Sequence, residues 1–235
     1  MSIFLSEFIG TAILLAFGNG VVANVLLNKS KGQNSGWIVI SFGWAIAVFA
    51  GVFISAKYSG AHLNPAVTIA FLYAHKISWS VVPQYLAGQL LGAMAGSLIV
   101  WFAYLKHFSE TDHAATLLAV FSTIPAIDSG FHNFLTEGIA TFIFVLSVLF
   151  LVAPASSLGS LDALPVALLV LGIGLSFGGP TGYAINPARD LGPRIMHQLL
   201  PIAHKGPSNW GYAWVPILGP LAGGLLAAIV FGMIH

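Results

Sequence analysis

The feature that most constrains this chain is a stretch of eight residues that occurs twice. Residues 59–66 are SGAHLNPA and residues 181–188 are TGYAINPA, so each position of the second copy lies 122 residues after its counterpart (181 minus 59). In both copies an Asn, a preferred helix N-cap, precedes a Pro, which fits the first helical position because an N–H there has no partner anyway. Each copy therefore predicts an irregular, glycine-containing segment that runs into a helix. The shared core is Asn64, Pro65 and Ala66 in the first copy and Asn186, Pro187 and Ala188 in the second.

The composition places the chain in a membrane. Of its 235 residues, 57% are hydrophobic and only 6% are charged, and the mean hydropathy is +0.91, whereas a soluble domain carries about 25% charged residues. The formal net charge is +1 with scattered basic residues, while a nucleic-acid-binding protein would show a basic stripe. The chain has no Cys, which excludes disulfides, thiolate ligands and thiolate nucleophiles. These features indicate an integral membrane protein with no nucleic-acid partner.

Six stretches are long enough to cross a bilayer, for which about 20 apolar residues are needed. Two more apolar pieces, residues 65–74 and 187–200, follow the motif copies and are too short to cross. Irregular backbone at membrane depth is tolerated only where protein buries it or where it lines a cavity, and two such breaks in corresponding halves indicate a binding or conduction site. The predicted spans are residues 3–27, 36–56, 80–104, 132–154, 161–178 and 212–233.

The duplication extends beyond the motif. Residues 7–11 are echoed by residues 137–141, and the spaced small residues Gly88, Gly92 and Gly96 are echoed by Gly219, Gly223 and Ala227; such spacing lets membrane helices approach closely. Three spans per repeat is an odd number, so the second copy must enter from the opposite face. We therefore predict an all-α membrane protein with six transmembrane helices and two re-entrant half-helices. It forms a single domain over residues 1–235, in which inverted repeats of about 1–105 and 132–235 are joined by an exposed loop with room for a short helix.

These residues resemble the major intrinsic protein family, the aquaporins, and within it the bacterial glycerol facilitators. The two Asn-Pro-Ala boxes are its most specific sign, and the segments SGAHLNPAVTI (59–69) and NPARDLG (186–192) are similar to the facilitator versions. The resemblance covers essentially the whole chain. It implies an aquaporin-like fold, a homotetramer with a pore in each protomer, and a multi-pass protein of the bacterial cell membrane with cytoplasmic termini. The positive-inside rule, applied to the few Lys and Arg residues, would place the termini outside; we follow the resemblance.

On this interpretation the amides of Asn64 and Asn186 meet at the pore centre and donate hydrogen bonds to a passing oxygen; alternatively, each only caps its helix. The positive ends of both half-helix dipoles point to that centre, which favours a neutral oxygen over a cation. Arg189 follows the second box, where the first copy has Val67, and a charge inside a membrane needs partners or a wet cavity. We expect its guanidinium at the narrowest point, donating to solute hydroxyls; the alternative is a structural ion pair with Asp190.

The resemblance completes a selectivity filter around this arginine. Trp44 lies 20 residues before Asn64, and Gly174 and Tyr183 lie 12 and 3 residues before Asn186. In the facilitators two aromatic rings cradle the carbon backbone of a polyol, and a Gly vacates volume that admits a solute wider than water. Facilitators have Phe where this chain has Tyr183, so its hydroxyl is expected to narrow the filter or to add a polar contact. Without the resemblance, Trp44 would be interpreted as a packing residue or an interfacial anchor.

The two irregular segments are expected to present a file of backbone carbonyls opposite apolar walls. Such a file suits a solute with hydroxyls on one edge and C–H groups on the other. His62 has no second His or carboxylate at ligand spacing, so we predict a buried structural residue rather than a metal ligand or proton relay, and we expect no metal or cofactor. The carbonyls are those of Gly60, Ala61, His62, Tyr183, Ala184 and Ile185.

Glu7 and Glu137 are repeat-related acids inside predicted spans. An intramembrane ionisable residue is a functional candidate by default, which leaves proton coupling open. The re-entrant loops, however, contain backbone N–H groups that need acceptors, and the resemblance assigns these Glu residues to holding the loops. We favour this supporting role, and we extend it to Asp190.

The sequence therefore predicts a passive channel and not an enzyme. This channel would conduct glycerol, similar small uncharged solutes and water, and would exclude ions and protons. Its partners would be these solutes, the lipid bilayer and further copies of the chain. One alternative is a facilitator whose main solute is protonated lactic acid, urea or hydrogen peroxide. Another is a proton-coupled transporter, because inverted repeats with broken helices occur there too.

Overall fold

The computed structural model describes residues 1–151 and 156–234, and these residues form helices and connecting segments without strands. Short 3₁₀ turns at Trp79–Val81, Gly159–Ala163 and Trp210–Tyr212 precede three of the long helices. The α-helices are α1 (Ile3–Leu26), α2 (Trp37–Ser59), α3 (Pro65–Tyr73), α4 (Val82–Ala103), α5 (Leu105–Ser109), α6 (Ala114–Phe121), α7 (Gly130–Phe150), α8 (Leu164–Thr181), α9 (Pro187–Leu199) and α10 (Val215–Ile234).

Six of these helices are long and apolar enough to cross a membrane: α1, α2, α4, α7, α8 and α10. They correspond to the six predicted spans, with ends that differ by a few residues; residues 152–154 of the fourth predicted span lie outside the described residues. The two short apolar pieces form α3 and α9, of 9 and 13 residues, which at 1.5 Å per residue are about 14 and 20 Å long. The predicted fold class is confirmed.

Close helix contact in each half depends on small residues. A methyl group placed on Gly92 of α4 would lie 2.4 Å from the Phe8 carbonyl oxygen of α1, and one on Gly223 of α10 would lie 2.1 Å from the Gly138 carbonyl oxygen of α7. Since lipid gives helices no hydrophobic reason to associate, tight van der Waals packing of this kind holds them together. The pairs α1–α4 and α7–α10 thus form equivalent interfaces in the two repeats.

The sequence predicts an exposed loop, with room for a short helix, between the repeats. In the structure this connection is partly buried. It contains α5 and α6, and Phe108, Leu117 and Phe121 are buried in it because α6 packs against α1 and α9. At its outer edge the Lys29 ammonium bonds the Glu110 carboxylate, and this hydrogen bond lowers the pKa of Glu110 below its usual range. The connection therefore covers the end of α9.

We expect Gly92→Ala to lower the thermal stability of the protein. The added methyl group would meet the Phe8 backbone rather than a movable side chain, and overpacking of this kind costs about 1–3 kcal/mol. The measurement is the unfolding midpoint of detergent-solubilised protein. Gly172→Ala is the matched control, because that position of α8 has no neighbour within 4 Å and gains the same helix propensity. Equal midpoints for the two variants would contradict the role of this contact.

Candidate functional site

The N-terminal ends of α3 and α9 meet in the interior and are joined by a reciprocal pair of hydrogen bonds. The Asn64 amide donates to the Ile185 carbonyl and the Asn186 amide donates to the Leu63 carbonyl, each over 2.8 Å. Each Asn oxygen also caps its own helix, accepting from Ala66 N in α3 and from Ala188 N in α9. An amide nitrogen carries two N–H donors, so each Asn keeps one donor beyond the bond that ties the repeats together.

The segments before these caps have the same unusual backbone. Ala61 and Leu63 in the first copy, and Tyr183 and Ile185 in the second, adopt left-handed φ values of 51°, 51°, 39° and 44°. Side chains other than Gly rarely tolerate this region, and such residues cost on the order of 1–3 kcal/mol each. The same strain at positions 122 apart indicates that both segments are held in one required shape.

Two fully buried glutamates hold these segments. Glu7 accepts hydrogen bonds from His62 N (3.0 Å) and Leu63 N (2.7 Å). Glu137 accepts from Ala184 N (2.9 Å) and Ile185 N (2.8 Å). The hydroxyls of Ser59 and Thr181, again 122 residues apart, donate to the respective carboxylates. Each glutamate thus satisfies the N–H groups that its irregular segment leaves free of helical partners.

The first copy has additional polar support. Gln89 of α4 donates to Glu7 (2.8 Å) and to the Thr68 hydroxyl (3.0 Å), and the Tyr85 hydroxyl donates to the Ser59 carbonyl. The buried His62 ring lies 3.2 Å from Thr68 Oγ1 through its Nδ1 atom and stacks on Tyr85 with ring centroids 4.3 Å apart. His62 is therefore held by packing and one polar contact.

A cavity of about 110 Å³ runs along both strained segments, enough for several water molecules, which need roughly 10–15 Å³ each. All six residues whose carbonyls were predicted to form a polar file line it, together with Asn64 and Asn186. Most of the remaining wall is apolar and comes mainly from α2, α7 and α8: Val48, Val52, Phe144, Val148, Val166 and Val170. The cavity is thus bordered by both irregular segments, by both capping Asn residues and by apolar side chains of the long helices.

A second cavity, of about 170 Å³, lies towards the end of the molecule where α2 begins and the inter-repeat connection packs. Trp44, Tyr183 and Arg189 line both cavities, and we call these three residues the boundary. The Arg189 guanidinium carbon stands 4.1 Å from the centroid of the Trp44 ring. Its Nη1 atom is buried and has no hydrogen-bond partner among the residues that the structure describes. A cation with a free donor therefore lies where the cavities meet.

Gly174 stands behind the boundary rather than in it. A methyl group built on Gly174 would lie 2.9 Å from Cζ and 3.0 Å from the hydroxyl of Tyr183, so the volume that Gly174 vacates is filled by the Tyr183 ring and does not widen the cavity directly. The phenol hydroxyl is buried beside Ser41. The boundary is thus lined by the ring of Tyr183 and not by its hydroxyl.

Asp190 does not pair with Arg189, which the sequence left open. Its carboxylate forms a buried ion pair with Arg194 at 2.7 Å and accepts from the backbone N–H and hydroxyl of Thr123. Arg194 also donates to the carbonyls of Ser208 and Thr123. This network fastens α9 to the inter-repeat connection, and Arg189 remains available to the cavities.

Sequence reasoning missed several of these supporting residues. Arg194 lies four positions after Asp190, a spacing that places two helical side chains on one face and could have suggested the pair. Gln89 is a polar residue inside a predicted span, where such residues are rarely without purpose. Thr123 carries no comparable local signal, because its partners Asp190 and Arg194 are far away in the chain.

Comparisons with known proteins agree with this geometry. A family model described as "Major intrinsic protein" matches residues 1–231. The chain is 52% identical to a "Probable glycerol uptake facilitator protein" of Thermotoga maritima, with 98% of each protein covered, and 50% identical to "Glycerol uptake facilitator protein 3" of Lactiplantibacillus plantarum, covering 98% of this chain and 95% of the relative. The X-ray structure of the aquaglyceroporin from Plasmodium falciparum matches with a TM-score of 0.86 at 33% identity, covering 97% of this chain and 93% of that one.

We expect substitutions of Glu137 to reduce both stability and solute flux. The loss should be larger for Glu137→Ala than for Glu137→Gln. Ala leaves the N–H groups of Ala184 and Ile185 without their acceptor, and an unsatisfied buried polar group costs about 1–3 kcal/mol. Gln keeps one acceptor oxygen, so the Glu137→Gln variant should keep part of the stability and flux that the Glu137→Ala variant loses. The unfolding midpoint and the flux per correctly assembled protein are the measurements. A Glu137→Ala variant as stable and permeable as the unmodified protein would show that the carboxylate does not hold this segment.

Proposed function

The chain belongs to the major intrinsic protein family, and from this premise we propose that it is a passive channel for glycerol and other small uncharged solutes, together with water. The observation that carries the proposal is the pair of cavities that meet at Trp44, Tyr183 and Arg189. Relatives named as glycerol uptake facilitators over almost the full chain length support the choice of solute. The function is transport across the bacterial cell membrane and not catalysis.

The lining of the cavity along the two strained segments suits a polyol. A solute leaving water must replace the hydrogen bonds that it loses, and the strained segments 60–63 and 183–185 together with Asn64 and Asn186 offer polar groups along one side. The apolar wall opposite accepts the C–H edge of the same molecule. Glycerol, with hydroxyls along one edge of a short carbon backbone, matches both sides, and water can use the polar side alone.

The boundary is proposed to select by size and charge. The Trp44 ring and the Tyr183 ring present apolar surfaces, while the Arg189 guanidinium presents a donor to solute hydroxyls and a positive charge against cations. Further in, α3 and α9 direct their N-terminal ends to one point, each equivalent to roughly half a positive charge. A cation would meet these fields with too few oxygen ligands to replace its hydration shell. Ions and protons should therefore be excluded.

The structure gives no support to the coupled transporter that the sequence left open. Both carboxylate oxygens of Glu7 and both of Glu137 already accept hydrogen bonds from backbone or side-chain donors. A proton relay would have to break the contacts that hold the strained segments.

The other alternative, a facilitator whose main solute is lactic acid, urea or peroxide, shares the cavity lining described above and differs only in the preferred solute. As the resemblance implies, we also propose a homotetramer with a pore in each protomer.

A permeability panel on purified protein in liposomes tests the proposal. Glycerol and water should equilibrate faster than in empty liposomes, and no solute should accumulate above equilibrium when a pH gradient is imposed. Lactic acid, urea and hydrogen peroxide in the same panel identify the preferred solute. Accumulation driven by the gradient would contradict a channel, and a glycerol rate equal to that of empty liposomes would contradict the choice of solute.

We expect Arg189→Val to admit cations or protons. The substitution removes the positive charge at the boundary and leaves an apolar side chain like that of Val67, its counterpart in the first copy. Proton leak into liposomes, followed with an internal pH dye, is the measurement. Lys106→Ala, which removes an exposed positive charge elsewhere, is the matched control and should leave the leak unchanged. An Arg189→Val protein that stays proton-tight would argue against charge exclusion by this residue.

A further inference from the structure

The ring of Tyr183 lies along two successive turns of α8. Methyl groups built on Gly174 and Gly178 would stand 2.9 and 2.7 Å from the Tyr183 ring, so neither position can carry a side chain while the ring stays where it is. The chain reverses at Gly182, which has a left-handed φ of 82°, and this reversal folds Tyr183 back onto its own helix. Gly174 and Gly178 of α8 therefore form the surface on which the ring packs.

Trp37 packs against the same surface of α8 and against the Tyr183 ring. Its indole N–H donates to the Gly174 carbonyl over 2.9 Å, and its ring meets the Tyr183 ring edge to face with centroids 5.8 Å apart. A methyl group on Gly178 would lie only 2.4 Å from the Trp37 ring as well, so both aromatic rings converge on this one glycine. Trp37 is thus anchored by a hydrogen bond to the same helix that supports Tyr183.

We propose that Trp37 is a positioning residue that sets the width of the boundary by holding the Tyr183 ring. The inference rests on the proposed channel function and assigns Trp37 a place in its selectivity. Trp44 and Arg189 form the rest of the boundary and contact each other. The freedom of the Tyr183 ring therefore decides how wide a solute can pass.

The second cavity determines the direction of the effect. Trp37 and Tyr183 both line it, so loss of the indole would open space for the Tyr183 ring to turn away from the boundary. Edge-to-face aromatic pairs are more favourable than their buried area alone implies, so this contact favours one orientation of the Tyr183 ring. Without this contact, a wider solute should gain more than a narrow one.

The test compares glycerol with trimethylolethane, a branched triol that is wider but has the same number of hydroxyl groups. In liposomes, Trp37→Ala should raise the ratio of trimethylolethane flux to glycerol flux several-fold, and Trp37→Phe, which keeps a ring but loses the indole N–H, should lie between. A loss of folded protein lowers both fluxes together and leaves their ratio unchanged. Trp210→Ala is the matched control, since Trp210 is half-exposed like Trp37 and also donates an indole hydrogen bond, but lines neither cavity.

A double-mutant cycle separates positioning from direct contact between Trp37 and solute. In a Tyr183→Leu background, Trp37→Ala should change the ratio no further, because the ring on which Trp37 acts is absent. An unchanged ratio for Trp37→Ala alone, or an equal additional change in the Tyr183→Leu background, would overturn the inference. Gly174→Ala, which pushes the ring from behind, should lower the ratio.

The unmodified protein in the same preparation distinguishes the two levels of the argument. If it conducts glycerol and the Trp37 substitutions leave the ratio as it was, the positioning role is wrong while the channel proposal stands. If the unmodified protein conducts no glycerol above empty liposomes, the proposed function fails and the inference fails with it.

Discussion

Peptide N–H groups that lose their helical partners inside a bilayer are the constraint on which the rest of this structure depends. Water cannot satisfy them there, and each one left unpaired would cost several kcal/mol. Glu7 and Glu137 meet this demand from neighbouring helices, and the Asn64 and Asn186 amides tie the two breaks to each other. Because these acceptors are fixed on packed helices, the irregular backbone can persist in left-handed conformations that it would not otherwise keep. The position of both segments along the cavity that they line follows from this arrangement.

Both repeats use a buried glutamate to hold an irregular segment, and they differ in the residues that surround this glutamate. The first copy surrounds its glutamate with Gln89 and Thr68, while the second places the Asp190–Arg194 pair next to its half-helix. The difference matters most where Val67 stands opposite Arg189 in the duplication. Two symmetric arginines would place two unpartnered charges in one narrow passage, at a large desolvation cost. One arginine, stacked on Trp44, supplies a donor and a positive charge at a single place.

The spans, the half-helices and the duplicated loop were predictable because they depend on local patterns: hydrophobic length, an Asn-Pro cap and a strict repeat. The hydrogen bonds of Glu7 and Glu137 follow the supporting role that the sequence favoured for them. The burial of α6 was not predicted, because a short, mainly apolar helix in a polar connection does not reveal which surface it covers. The partner of Asp190 was also missed, although Arg194 stood at helical spacing. Trp37 could not be found locally, since its contacts are on a helix that begins more than a hundred residues later.

Gly174 shows where residue-by-residue interpretation of a filter reaches its limit. From the sequence, a glycine in place of a larger residue suggests a wider passage. In the structure that space belongs to Tyr183, and Gly18 likewise leaves room for the Trp44 ring, which a methyl group there would meet at 2.2 Å. Both aromatic side chains of the boundary thus rest against glycines of adjacent helices. Because protein interiors are close-packed, a change behind such a ring is transmitted to its front. The width of the boundary is therefore a property of the packing layer behind it as much as of the side chains that face the solute.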